Sequence, residues 1–411
     1  VLSGMGAGGQ GYFALDITNV DSPKHLFTIY NDPFTQVVVH LDKDENKREY
    51  GYAGGGIPAE FDYRKLGETW STPRIIRMKV DGKDKWVAVF GGGYNGGVNN
   101  DYGSAVFVMD LENEGKLLKK IDITDNENSD DKSYTADGIK TKFSIPWNYN
   151  TIDYYIRVKV DSMKAPSYSI PGTYDEVSYM MSGAEVEFAT APASGSVVQI
   201  FKVPASNIVN SIPADLSVIT ASGTEQANYS GAMIYAADLE GKITKINLTD
   251  QGTLYESTTL FDAESNNNNG RYIYTRPEVT INNDNNLWLY FGTGNTQKLQ
   301  EQSSKVKNRV YGIKDKDFPN FVTVSPGDVS KCKTFPDCPG GTDLGWYVNL
   351  DNSKKLTAEP TVDKDRVYFP LYEPNTADIC KTGTAWLTAY DTICGESVLN
   401  VNMGKGVLSK V

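Results

Sequence analysis

The sequence contains only two histidines, His25 and His40, and four cysteines. So few imidazoles exclude a histidine-rich metal centre or a two-histidine catalytic site, and they leave little basis for hydrolytic chemistry. Lysine and arginine number 40 against 52 aspartates and glutamates, a net charge of −12, and they form no sustained run. Because a chain of this charge repels a phosphate backbone, nucleic acid is excluded as a partner.

Long apolar stretches are also missing. No part of the sequence approaches the roughly 18 apolar residues that cross a bilayer, so we expect no membrane span. The first residues, Val1 to Gly4, do not resemble a secretion signal, and the chain starts without methionine and partway through a repeat unit. We therefore expect a fragment of a longer, exported polypeptide whose signal lies upstream.

The four cysteines all lie in the last fifth of the chain. Cys332 and Cys338 are close in sequence, as are Cys380 and Cys394, so we expect two local disulfides that each close a short loop. No pair has zinc-knuckle spacing and neither histidine is nearby, which disfavours a zinc site. The alternative is four thiols in a reducing cytosol, whereas disulfides indicate an exported protein.

Short runs of β-branched and aromatic residues between glycines, such as residues 86–90 and 287–291, predict strands, and long helical periodicity is absent. Such strands are compatible with a sandwich, a barrel or a propeller, and a degenerate repeat in the sequence distinguishes among these. Copies begin at Pro73, Pro213, Pro277 and Pro360, and residues 11–17 end an earlier copy. Units of short strands that bury their apolar faces only against neighbours predict an all-β propeller with blades of four antiparallel strands.

The interval from Pro73 to Pro213 is far longer than the later intervals, which indicates an insertion. An acidic polar run at 125–131 is followed by segments that alternate polar and apolar residues. We expect propeller sequence at 1–124 and 206–411, with a small β-sandwich-like module inserted at 125–205. This module is either an exposed binding module or a decoration that stiffens the propeller rim.

Candidate ligands for a metal are few. Asp42, Asp44, Asn46 and Glu49 place oxygen ligands at about every second residue, as a calcium loop does. The turn glycine and a bidentate acid at the last position are missing, so an ordinary solvated acidic loop is the alternative. Trp86 and Trp288 lie inside strand patterns and are expected in the core. The sequence offers no candidate catalytic or cofactor-binding residue.

Several motifs, taken in order, resemble the C-terminal propeller of the PilY/PilC-type type IV pilus tip-associated proteins: residues 4–18, 66–73, 89–95, 235–241 and 291–294. The resemblance implies a quinoprotein-like propeller in a large protein at the tip of the pilus, outside the cell. It implies roles in pilus assembly by countering retraction, in surface adhesion and in twitching motility. Minor pilins and a host or abiotic surface are the implied partners.

The resemblance has a limit. Members of that family place a calcium loop before the strand that corresponds to residues 235–239, but here residues 221–230 hold one carboxylate, Glu225. Calcium regulation is therefore not carried over to that position.

Two other classes share the fold. Residues 389–399 keep the Ala-x-Asp…Gly spacing of the docking motif of quinoprotein dehydrogenases, but Leu399 stands where tryptophan belongs. Because the cofactor's dedicated residues are not recognisable, we expect no pyrroloquinoline quinone and no redox activity. A lectin-like or protein-binding propeller unrelated to pili is the third reading, which the sequence alone does not separate from the pilus reading.

Overall fold

The structure is a computed structural model, and it describes all residues except 53–55, 95–101, 125–130, 146–153, 162, 165–178, 183–184, 205–209, 224–226, 264–270, 283–284, 303–306, 323–326, 379 and 411. In the described part, the chain forms strands and short 3-10 helices at Ala59–Phe61, Ala221–Gly223, Thr296–Lys298 and Val329–Lys331. It divides into two compact units. The propeller unit is Val1–Ile123 with Asn207–Val411, and the inserted unit is Thr124–Ser206.

The propeller unit begins with two antiparallel sheets. The first has the order β1-β2-β3-β4-β5 and the second the order β6-β7-β8-β9. Their strands are β1 (Leu2–Gly4), β2 (Gly11–Asp16), β3 (Lys24–Asp32), β4 (Val37–Leu41), β5 (Lys47–Gly51), β6 (Arg74–Val80), β7 (Lys83–Gly91), β8 (Ala105–Asp110) and β9 (Lys116–Asp122).

The inserted unit is a small sandwich with a core of its own. Its strands are β10 (Asp131–Thr135), β11 (Lys142–Ser144), β12 (Tyr154–Val160), β13 (Met163–Lys164), β14 (Tyr179–Ser182), β15 (Glu185–Phe188) and β16 (Val197–Pro204). They form the sheets β10-β16-β12-β13 and β11-β15-β14. Phe143 and Phe188 from one sheet pack with Val158 and Ile200 from the other. The predicted β-sandwich-like module is thus confirmed, and its independent folding stays a prediction.

Three more sheets complete the described part of the propeller unit. Their strands are β17 (Ser217–Thr220), β18 (Gly231–Ala237), β19 (Lys242–Thr249), β20 (Ser257–Asp262), β21 (Glu278–Ile281), β22 (Leu287–Gly292), β23 (Arg309–Asp315), β24 (Gly327–Asp328), β25 (Cys332–Lys333), β26 (Gly345–Asn349), β27 (Lys355–Leu356), β28 (Thr361–Asp363), β29 (Arg366–Glu373), β30 (Thr384–Asp391) and β31 (Ser397–Lys405). The third sheet has the order β17-β18-β19-β20-β24 and the fourth β21-β22-β23-β26-β25. The fifth has the order β27-β29-β30-β31, with β28 beside β29.

Apolar cores lie between successive sheets, and central strands contribute to the core on each side. In β7, Ala88 and Phe90 face the first sheet while Val87 and Val89 face the third. In β22, odd-numbered residues join the core with the third sheet and Trp288 joins the core with the fifth. This stacking explains why the strands are apolar without a break, and it confirms the predicted all-β propeller class.

The two tryptophans predicted in strands have different environments. Trp288 is buried, as expected. The expectation for Trp86 was wrong, because its side chain is 50% exposed. Trp86 lies near the start of β7, beside the β6–β7 hairpin, where the sheet ends and its neighbours no longer cover it.

In each sheet of the propeller unit, an aspartate at the end of one strand caps the turn that follows. Its Oδ1 accepts backbone N–H groups two to four residues later, as aspartate does in tight turns. These residues are Asp16, Asp110, Asp238, Asp315 and Asp391. The capped turn explains why the repeat keeps an acidic residue at this place in blades whose other residues differ.

The expected cysteine pairing was wrong. The disulfide joins Cys338 to Cys394, with Cα atoms 4.6 Å apart and a sequence separation of 56, while Cys332 and Cys380 are thiols. Loop-closure entropy grows only with the logarithm of loop length, so short loops have a small advantage that tertiary packing overrides. Here the turn after β30 lies against the fourth sheet, and the disulfide links the fourth blade to the fifth.

Two further contacts fasten the same junction. The indole N–H of Trp346 donates to the carbonyl oxygen of Thr392 at 2.9 Å, and the Tyr290 hydroxyl donates to that oxygen at 3.1 Å. Gly395 has a φ of 70°, and a Cβ there would lie 2.7 Å from the Trp346 ring. Only glycine allows this approach, so the preceding blade can pack closely against residues 391–395.

Candidate functional site: the proline face of the propeller

The segment that leads into a blade and the loop between its second and third strands lie at one edge of the sheet, because neighbouring strands run antiparallel. Bridges between Glu68 and Tyr94, and between Gly93 and Ile212, join such segments. We call this edge of the propeller unit the proline face, since it is marked by the prolines that begin the repeats: Pro73, Pro213, Pro277 and Pro360.

Gly93 fixes the local geometry of this face. Its φ is 91°, its N–H donates to the Ile212 carbonyl at 3.0 Å, and a Cβ would lie 1.9 Å from the Glu68 carbonyl oxygen. No other residue fits this position. The glycine run that ends β7 thereby joins the second blade to the third and positions the next residue, Tyr94.

Four aromatic rings follow one another on the proline face. Trp70 stacks on Tyr94 with ring centroids 4.3 Å apart, Tyr94 lies 6.2 Å from Tyr274, and Tyr274 lies 6.2 Å from Tyr272. All four side chains are partly buried. We call these residues the aromatic row. It carries rings from the second and the fourth blade onto one surface.

The aromatic row is uncharged at neutral pH. Burial raises the pKa of both Tyr272 and Tyr274, so their hydroxyls stay protonated. The Tyr274 hydroxyl lies 3.5 Å from the side-chain oxygen of Asn295. A surface of this kind offers stacking area together with hydrogen-bond donors, which is the combination enriched at binding interfaces.

Charged residues beside the blade-start prolines pair between blades. Arg74 lies 3.5 Å from Asp215, and Arg276 lies 3.1 Å from Glu359. The Lys410 ammonium also reaches Glu359, at 2.8 Å. Each carboxylate thus has a cation from another part of the chain, and the ion pairs hold blade starts together across the face.

An open cavity of about 390 Å³ lies between β6 and β17. Its lining combines aliphatic residues, such as Leu216 and Val218, with the guanidinium-bearing Arg74 and Arg276. Neither histidine is on this face, since His25 is in β3 and His40 is in β4. The proline face thus presents aromatic rings, hydrogen-bonding groups and ion pairs.

Of the candidate calcium residues, Asp42, Asp44 and Asn46 lie in the hairpin between β4 and β5, and Glu49 lies within β5. Asp42 Oδ1 accepts the backbone N–H groups of Asp44 and Asn46, both at 3.0 Å, so it serves as a turn cap. Asp44 and Glu49 pair with lysines and are more than half exposed on their side chains. Within the described residues, no group of three acidic, histidine or cysteine side chains is arranged to hold a metal. The calcium site stays a prediction.

Sequence reasoning missed the aromatic row, although a signal was present. Trp70 and Tyr274 each stand three residues before a blade-start proline. Equal offsets in two repeats place the rings at equivalent positions, and equivalent positions in a propeller converge toward the common axis. Tyr94 and Tyr272 carry no comparable signal.

The fold and this site together define a class: a β-propeller that gathers aromatic rings and ion pairs on one face. Within that class, residues 1–133 match the family model described as the PilY1 beta-propeller domain. The chain is also similar to the type IV pilus biogenesis factor PilY1 homolog of Xylella fastidiosa (strain Temecula1 / ATCC 700964), with 22% identity over 431 aligned positions. The resemblance to PilY-type pilus proteins is therefore confirmed.

The alignment with the Xylella relative covers 97% of this chain and 22% of the relative. The chain thus spans about a fifth of the length of that relative. Among the residues described, no helix is long and apolar enough to cross a membrane.

Proposed function

We propose that this chain is part of a type IV pilus biogenesis factor that acts at the pilus tip, outside the cell. In this role it supports pilus assembly, surface adhesion and twitching motility, with minor pilins and a host or abiotic surface as partners. The observation that carries the proposal is the similarity to a pilus biogenesis factor along 97% of the chain. A similarity this long includes the fourth and fifth blades, which lie beyond the family-model match.

The proline face is the surface that we assign to partner contact. Its aromatic row gathers rings from two blades, and aromatic anchors dominate the energetics of protein interfaces. The ion pairs beside the row hold the blade starts in place, so the rings are presented on a rigid scaffold. This assignment accounts for rings that are only partly buried, whereas most other aromatic side chains among the described residues are in the core.

We propose that the action is non-enzymatic. The residues that resemble the dehydrogenase docking motif have a packing role here: Asp391 caps a turn and Gly395 accommodates the ring of Trp346. That role requires no cofactor. Anaerobic titration with pyrroloquinoline quinone and calcium should give no binding signal, and an absorbance change coupled to alcohol turnover would contradict the proposal.

Complementation of a deletion strain tests the proposal. The gene carrying Trp70→Ala and Tyr274→Ala should restore twitching and surface adhesion less well than the unchanged gene, at equal protein level. Trp86→Ala is the matched control, because Trp86 is an equally large, half-exposed ring on the same sheet but away from the proline face. If both variants restore full motility and adhesion, the aromatic row has no such role.

A further inference from the structure

Each blade of a propeller ends in an outer edge strand, whose backbone N–H and C=O groups on one side lack a partner. The outer edge strands of the propeller unit, which stand last in their sheets, are β5, β9, β24, β25 and β31. Proteins shield such edges from unwanted pairing with charged side chains, or keep them very short. Four of these five edges are shielded in one of the two ways.

Two of the edges are charged and two are short. Three of the five residues of β5 are charged, and β9 carries Lys116, Lys119 and Lys120. β24 and β25 have two residues each. They lie parallel to β20 and β26, so an added strand covers the fourth strand of the third and fourth blades.

β31 has neither kind of shielding. It is nine residues long, and its only charged residue is the last one, Lys405. Eight of the nine residues are exposed, among them Val398, Val401 and Met403. In the described part of the chain, its one strand partner is β30. The outer edge of the fifth blade is therefore free to pair with another strand.

The backbone of this edge is fixed before any partner binds. Between two register shifts, residues 399–402 pair with residues 386–389 of β30 in regular register. Past the end of β31, the Gly406 N–H donates to the Gly383 carbonyl oxygen at 3.3 Å. An edge held in this way loses little conformational entropy when a strand adds to it.

The sequence of β31 defines which strand fits. Side chains alternate between the faces of a sheet, so Leu399 and Val401 lie on one face and Asn400 and Asn402 on the other. Cross-strand pairs stabilise a sheet when apolar side chains oppose each other and when hydrogen-bonding side chains oppose each other. A matching segment therefore alternates β-branched apolar residues with uncharged polar ones.

We propose that β31 is a docking site for an extended segment of a partner polypeptide, which adds to the fifth blade as its outermost strand. The backbone chemistry determines the kind of partner, because only another strand satisfies a row of N–H and C=O groups along an edge. The same fold already uses this contact, since β24 and β25 cover the outer strands of the two preceding blades. Such docking is independent of the proposed role in pilus assembly.

Hydrogen exchange of the 411-residue chain, read by mass spectrometry, tests the proposal. The probe is a synthetic peptide, Lys-Thr-Val-Thr-Val-Thr-Lys, in which β-branched residues favour a strand and the terminal lysines give solubility. At millimolar peptide, amide exchange in residues 397–405 should slow by about tenfold, because the outward N–H groups become paired, while exchange in β9 stays unchanged. The same peptide with proline in place of the central threonine lacks a donor in the middle of the strand and is the negative probe.

Substitutions in the chain test the edge itself. Val401→Lys places a charge in the middle of β31 and should abolish the protection. Asn400→Lys does the same on the other face, where no apolar side chain is lost, and serves if Val401→Lys does not fold. The matched control is Val407→Lys, because Val407 is also exposed but lies beyond β31, and this variant should retain the protection.

The proposal would be overturned by the absence of protection at millimolar peptide, or by equal protection from the proline peptide. Protection that persists in both lysine variants of β31, or that is lost equally in Val407→Lys, would also overturn it. Protection that grows with chain concentration in the absence of peptide would do the same, because a second copy of the chain would then occupy the edge.

Discussion

Loss of the Cys338–Cys394 disulfide should destabilise the propeller by about 4 kcal/mol. The bond closes a loop of 56 residues, and the chain-entropy relation for that length gives about 14 cal/mol/K, or about 4 kcal/mol at 25 °C. Urea unfolding of Cys338→Ser, followed by tryptophan fluorescence under oxidising conditions, measures the loss. The midpoint should move to lower urea, and the slope should rise, because the unfolded chain without the cross-link exposes more surface.

Cys380→Ser is the control, because Cys380 is an exposed thiol and should tolerate the change. Non-reducing peptide mapping of the unchanged chain should recover one linked pair, Cys338 with Cys394. The reasoning would be refuted if mapping linked Cys332 with Cys338, or if Cys338→Ser and Cys380→Ser unfolded at the same urea concentration.

Four other changes probe the fold and the remaining predictions. Lys245→Met removes the partner of buried Asp315, 2.6 Å away, and should cost about 3–5 kcal/mol in urea unfolding because an unpaired charge stays buried. Burial raises the pKa of Asp238 to about 7, so its contribution to stability is present below its unfolded pKa and is lost as the pH rises through the folded pKa. The free energy of unfolding of Asp238→Asn, relative to that of the unchanged chain, should therefore be higher at pH 8 than at pH 4. Replacement of residues 126–203 by a Gly/Ser linker should leave the propeller with a cooperative melting transition while altering surface or partner binding. Calcium should raise the melting temperature, and Asp44→Ala should abolish that rise.

Each of these has an outcome that contradicts it. If Lys245→Met lowers the free energy of unfolding by less than about 1 kcal/mol, the ion pair behaves as a solvated pair and not as a buried one. A pH-independent difference for Asp238→Asn would mean that its carboxyl titrates alike folded and unfolded. Aggregation of the deletion variant would make residues 126–203 part of a blade. Identical melting with calcium and with chelator would make residues 42–49 an ordinary hairpin.

The blade repeat could be predicted from sequence because it is local. Each blade has a proline before its first strand, glycine between its strands and an aspartate at a strand end. These residues act through backbone geometry within a few positions, so Pro277, Gly292 and Asp315 are recognisable in the sequence. Burial is harder to predict from the sequence than the repeat. Trp86 and Trp288 share a strand pattern but differ in how far the neighbouring sheets extend over them.

Contacts between blades could not be predicted in the same way. The partner of Cys394 is set by how one sheet packs on the previous one, and no local rule reports that packing. The aromatic row depends on the same relation, because Tyr94 meets Tyr274 only once the second and fourth blades are placed.

Counting surface pili tests most directly whether this chain serves type IV pilus assembly. Electron microscopy should compare the parent strain, an in-frame deletion of the sequence encoding this chain, and the same deletion in cells whose pilus retraction is blocked. Because the proposed role is to counter retraction, we expect few or no pili in the deletion strain and a return of pili when retraction is blocked. Normal numbers of surface pili in the deletion strain would contradict the account.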